Sequence, residues 1–143
     1  MRLYTLLLLS LLTSYSCKKS SPSIPVSMTV NFNGNSTWTT TDVTTQSEAG
    51  IVYITGTSAN QSNSVTLDIV NFEPGAGSYI IQNTGTGTNP NNSSANYQYN
   101  IYGGTAVSGQ ITITKYGSNT IEGSFDFSDT KNHLSGTFTA VRP

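Results

Sequence analysis

From Ile24 onward, apolar and polar residues alternate, and no stretch spaces its apolar residues for a sustained helix. That period of two is the strongest constraint on the fold, because it gives each segment one buried and one wet face. Ile24, Val26, Met28, Val30 and Phe32 share one face and predict a first strand. Asn33-Gly34 follows, a pair that tolerates the positive φ of a tight hairpin turn. A short second strand runs through Trp38, and the polar stretch Thr41 to Gly50 reads as a connection. Further strands are expected at 51–57, 64–71, 79–81, 96–102, 110–115, 120–127 and 134–141. Glu73-Pro74-Gly75-Ala76-Gly77 breaks the chain, and residues 83–95 (NTGTGTNPNNSSA) read as a polar, mobile loop. The expected fold is an all-β antiparallel meander of about nine strands, closed into a curved, lipocalin-like barrel or folded as a β-sandwich.

The last two strands permit a register prediction. Ile121-Glu122-Gly123-Ser124-Phe125 is echoed thirteen residues later by Leu134-Ser135-Gly136-Thr137-Phe138. If Ser128 and His133 close a hairpin over Asp129-Thr130-Lys131-Asn132, Phe125 falls opposite Gly136 and Gly123 opposite Phe138. Each ring then covers a glycine across the ladder. Gly56, within Ile54-Thr55-Gly56-Thr57, repeats the pattern. These glycines mark places where the sheet bends or packs closely.

The N-terminus obeys different rules. Met1-Arg2, a leucine-rich run from Leu3 to Leu12, and Thr13-Ser14-Tyr15-Ser16 lead to Cys17, the only cysteine. Charge, apolar run, small residue and cysteine, in that order, read as a lipoprotein signal peptide. Residues 1–16 are expected to be cleaved, with Cys17 lipidated. Residues 17–25, rich in Ser and Pro, form a flexible tether, and 26–143 a single β domain. A lone cysteine excludes a disulfide or a cysteine-based metal site within one chain.

Charged residues make up only 9% of the chain, six basic against seven acidic. Three of the basic ones, Arg2, Lys18 and Lys19, belong to the signal and its flank, so the domain has no basic field for nucleic acid. Catalytic constellations are equally thin. His133 is the only histidine and falls at a predicted hairpin end, where an exposed turn residue accounts for it. No Gly-x-Ser-x-Gly elbow is present. Glu122 and Asp126 share a strand face and would need a cleft holding them about 5–9.5 Å apart to act as a glycosidase pair. Asp126 to Asn132 lacks the spacing of a calcium loop, and the glycines of residues 84–88 precede no helix that could receive a phosphate. No catalytic residue, cofactor or metal site is expected. Trp38, Tyr97 and Tyr99 are the candidate ligand-facing aromatics, suited to a small apolar ligand or a glycan, because such rings combine a large face with a polar tip.

A signal ending in Cys17-Lys18-Lys19, a Ser/Pro tether and a Gly/Thr-rich β domain resemble the small lipoproteins of Bacteroidota. Gly109-Gln-Ile-Thr-Ile-Thr, Ile121-Glu-Gly-Ser-Phe-Asp-Phe and Gly136-Thr-Phe are similar to the last strands of uncharacterised lipoprotein domains of that group. Phe32-Asn-Gly-Asn-Ser-Thr-Trp38 resembles their opening, with altered spacing. Ser14 departs from the leucine usual three residues before the cysteine, whereas Ser16 supplies the small residue beside the cut. The resemblance implies a tethered envelope protein. We therefore expect a non-catalytic binding or accessory module, held on the outer membrane through Cys17 with its periplasmic face favoured. The alternatives are a subunit contacting an envelope protein partner and, less favoured, a hydrolase.

Overall fold

The computed structural model describes residues 23–83 and 92–143. The signal peptide, Cys17, most of the tether and most of the 83–95 loop lie outside the described residues. Among those described there is no helix. The strands are β1 (Ser27–Phe32), β2 (Ser36–Thr40), β3 (Val43–Glu48), β4 (Ile51–Thr57), β5 (Asn63–Ile69) and β6 (Gly77–Gln82). They continue as β7 (Ser94–Tyr99), β8 (Tyr102–Thr105), β9 (Ser108–Tyr116), β10 (Thr120–Ser128) and β11 (His133–Val141).

These form two antiparallel sheets, one ordered β2-β1-β11-β10-β9-β6 and the other β3-β4-β5-β7-β8. Neither closes on itself, so the fold is a sandwich and not the lipocalin-like barrel. Nor is it one meander, because the chain changes sheet after β2, β5, β6 and β8. The first and last strands pair inside the six-stranded sheet, with Ser27 opposite Thr139 and Phe32 opposite Leu134.

The period of two appears directly in burial. Met28, Val30, Ile54, Leu67, Ile111, Phe127 and Leu134 are buried between the sheets, while the residues between them face outward. Each such side chain contributes about 1.5–3 kcal/mol relative to full exposure. The predicted hairpin holds residue by residue: Ser128 faces His133, Phe125 faces Gly136, and Gly123 faces Phe138. A Cβ on Gly123 would lie 2.6 Å from the Phe138 ring, and one on Gly136 2.5 Å from the Phe125 ring. Gly56 works between layers, since a Cβ there would sit 2.5 Å from Met28 Sδ on the opposite sheet.

Two strands were not anticipated. β3 lies in the stretch expected to be a connection, and its polar edge buries only Val43. It turns into β4 through Ala49-Gly50, both at positive φ. The segment expected as one strand from Asn96 to Tyr102 instead folds back at Asn100-Ile101, with Asn100 at φ +52° and Tyr99 opposite Tyr102. At the sheet margins the layers are stitched by hydroxyls: Thr40 Oγ1 donates to the Thr57 carbonyl at 2.6 Å, and Thr45 Oγ1 to the Val141 carbonyl at 2.7 Å.

Candidate functional site

The sandwich end at which β1 finishes gathers three turns: β1–β2, β7–β8 and β10–β11. Asn33, left-handed at the first turn, donates its side-chain amide to Asn132 Oδ1 at 3.0 Å and accepts the His133 N–H at 2.7 Å. The β10–β11 loop is shaped by Asp129, whose Oδ1 accepts the N–H groups of Lys131 and Asn132, each at 2.6 Å. Such Asx turns are the ordinary use of aspartate at this position.

The other carboxylate oxygen crosses to the opposite sheet. Tyr97, 5% exposed on β7, donates its hydroxyl to Asp129 Oδ2 at 2.5 Å and accepts from Asn132 Nδ2 at 2.7 Å. Gly104 makes room: a Cβ there would lie 2.7 Å from Asp129 Oδ2 and 3.1 Å from the Tyr97 ring. Burial and the hydrogen bond given to the Asp129 carboxylate push the Tyr97 phenol up to about 12. Burial opposes charge on Asp129, but the donors Tyr97, Lys131 and Asn132 outweigh it and hold that carboxyl below its usual range.

Beside this clamp lies a groove of about 420 Å³ between β8 with its turn and the β10–β11 loop. Ile101, 88% exposed, and Tyr102, 55% exposed, stand on one side, with Thr130 and Lys131 on the other. Phe32 supports the wall from beneath, stacked on Tyr99 with centroids 4.4 Å apart and lying 6.4 Å from Tyr102. Exposed apolar side chains on a rigid base are what a ligand or partner surface needs.

The expected ligand-facing aromatics are placed differently from one another. Tyr97 is taken up by the core and the Asp129 clamp. Trp38 and Tyr99 are half-buried and packed against the core, and Trp38 stands opposite Val30. Their strand faces point between the sheets, which is why the ring offered to solvent at this end is Tyr102. Sequence reading missed it by carrying one strand through Asn100; an asparagine between Tyr99 and Ile101-Tyr102 was the available turn signal.

The remaining candidates do not converge. His133 Nε2 lies 3.1 Å from both oxygens of Asp126, on the outer face and away from Asp129. Glu122 meets Lys115 Nζ at 2.6 Å. Four residues apart on one strand, Glu122 and Asp126 have Cα atoms about 13 Å apart, and each carboxylate is held by a different neighbour, Lys115 and His133, so the two do not face one another as a glycosidase pair would. Among the described residues, no three His, Cys, Asp or Glu side chains gather as a metal site. Cys17 lies outside the described residues.

A family model described as a domain of unknown function, DUF6252, matches residues 26–142. The chain belongs to the DUF6252 family. No curated protein and no solved structure matches it. In this DUF6252 domain both sheets and the end groove fall within the matched span.

Proposed function

We propose that this DUF6252 protein is an outer-membrane lipoprotein, held on the periplasmic leaflet by acyl chains on Cys17. Its sandwich serves as a non-catalytic binding or accessory module. The observation that carries this reading is directional. β1 begins at one end of the sandwich, just after the Ser/Pro tether, and the groove with Ile101 and Tyr102 opens at the other. An anchor before residue 26 therefore attaches at the end of the sandwich opposite the groove and leaves the groove unobstructed by the attachment point. Two acyl chains are enough for stable anchoring, since each buried methylene contributes about 0.8 kcal/mol. The groove side chains suit an apolar or mixed ligand, and Asp129 is committed to the clamp rather than to proton transfer.

Fractionation tests the anchor. Cys17→Ala is expected to move the protein from the membrane pellet to the soluble fraction and to abolish fatty-acid labelling. A variant that still pellets with membranes removes the basis of the proposal.

The exposure of Ile101 favours a second reading, in which the β7–β8 tip docks a protein of the envelope. Ile101→Asp is then expected to abolish stoichiometric co-purification of that partner without lowering the melting temperature, because the side chain makes no core contact. Retained co-purification rules out the tip as the contact.

A further inference from the structure

The register of the six-stranded sheet lines up one hydroxyl side chain per strand across its outer face. Thr39 pairs with Thr29, Thr29 with Thr137 and Thr137 with Ser124. Ser124 pairs in turn with Thr112, and Thr112 with Ser78. Five inter-strand steps make this row about 24 Å long. At its ends the hydroxyls bond one another, Thr29 to Thr39 at 3.1 Å and Ser78 to Thr112 at 3.4 Å. At its centre, Ser124 and Thr137 make no side-chain hydrogen bond among the described residues. That centre borders a groove of about 400 Å³, lined further by Gln110, Asp126 and Ser135.

The charge pattern identifies the occupant. The charged or imidazole side chains on these six strands' outer face are Lys115, Glu122, Asp126 and His133; Lys115 is ion-paired with Glu122, and Asp126 is hydrogen-bonded to His133 Nε2. An anionic ligand finds no unpaired lysine or arginine on these strands. An apolar ligand gains little cover, because Phe125 and Gly136 form only the floor of the groove, Phe125 being 2% exposed, and the side chains that rise around it are hydroxyls, an amide and a carboxylate. The backbone is already used in the ladder, so an added peptide strand has nothing to pair with. A neutral, polyhydroxylated chain matches all three conditions, since each hydroxyl can both donate and accept. Single solvent-exposed hydrogen bonds contribute little, so the length of the row favours a polymer over one sugar.

We infer that the outer face of the six-stranded sheet binds a neutral polysaccharide laid across its strands. This face is separate from the end groove and does not depend on its role. The test is native-gel retardation of the full chain, purified in detergent, by soluble β-glucan, xylan and mannan, with polygalacturonate as the anionic control. Retardation by at least one neutral polymer, insensitive to salt, is expected. The triple variant Thr29→Val, Thr112→Val, Thr137→Val keeps shape and strand propensity while removing three hydroxyls. It should weaken binding on the order of 100-fold at an unchanged melting temperature. If the triple variant melts early, Ser124→Leu, which fills the groove, provides the same readout. Tyr102→Ala should leave polysaccharide binding intact, which separates this face from the end groove. The inference is overturned if no neutral polymer retards the protein, or if only polygalacturonate does. It is equally overturned if the folded triple variant, or the folded Ser124→Leu variant in its place, binds as wild type does, or if Tyr102→Ala abolishes binding.

Discussion

Gly136→Ala is expected to destabilise the domain by about 3 kcal/mol or more, lowering the melting temperature by roughly 12 °C. A Cβ at Gly136 collides with two neighbours at once, the Thr29 carbonyl oxygen of β1 and the Phe125 ring of β10. The ring can turn, but the carbonyl belongs to the β1–β11 ladder and cannot retreat without breaking it. Gly123 is held in the same way by the Thr112 carbonyl and the Phe138 ring, so Gly123→Ala should behave alike. Gly34→Ala supplies the contrast. Nothing lies within 4 Å of its Cβ position, and only the strain of φ +71° opposes it. That strain costs about 1 kcal/mol. Thermal melts and urea titrations of the three variants decide the matter. If Gly136→Ala melts no lower than Gly34→Ala, the ring-over-glycine pairing does not constrain the sheet.

This pairing was also the most legible part of the fold. The echo between residues 121–125 and 134–138 carries its own register, because it places each phenylalanine opposite a glycine only when Ser128 meets His133. Sheet membership was not legible, for a physical reason. Alternation tells which residues of a strand share a face, not which of two layers the strand joins. The changes of sheet after β2, β5, β6 and β8 therefore left no trace in the pattern. β3 was hidden because an edge strand buries little; Val43 is its one buried apolar residue. The clamp was hidden because Tyr97 and Asp129 lie thirty-two residues apart and meet only after both hairpins have formed. Alternation puts Tyr97 and Tyr99 on one strand face, and in the fold that face turns inward, as core lining rather than a ligand surface. The exposed Ile101-Tyr102 tip followed from a turn at Asn100 that the alternation concealed.

Tyr97→Phe is expected to cost about 2 kcal/mol at neutral pH, because it leaves a charged acceptor and an amide donor without their shared partner. The pH dependence separates this from a simple loss of packing. The folded Tyr97 value is raised, to about 12, so its contribution is fully present below the ordinary value of 10.0. It is lost as pH rises through about 12. The wild-type advantage should therefore shrink by about 2 kcal/mol across that window, while Tyr97→Phe lacks this titration altogether. Asp129 acts in the opposite sense. Its folded value is depressed, so its contribution is present above the ordinary carboxylate value and lost as pH falls through the folded one. The acid limb should persist in Tyr97→Phe at reduced size, because the N–H groups of Lys131 and Asn132 still hold the carboxylate. Urea unfolding of both proteins across pH gives the difference curve, and ultraviolet titration should show one late-ionising tyrosine missing from the variant. A difference that stays flat through both windows would mean that the hydroxyl only fills space, and that the β10–β11 loop is held by Asn33 and Asn132 instead.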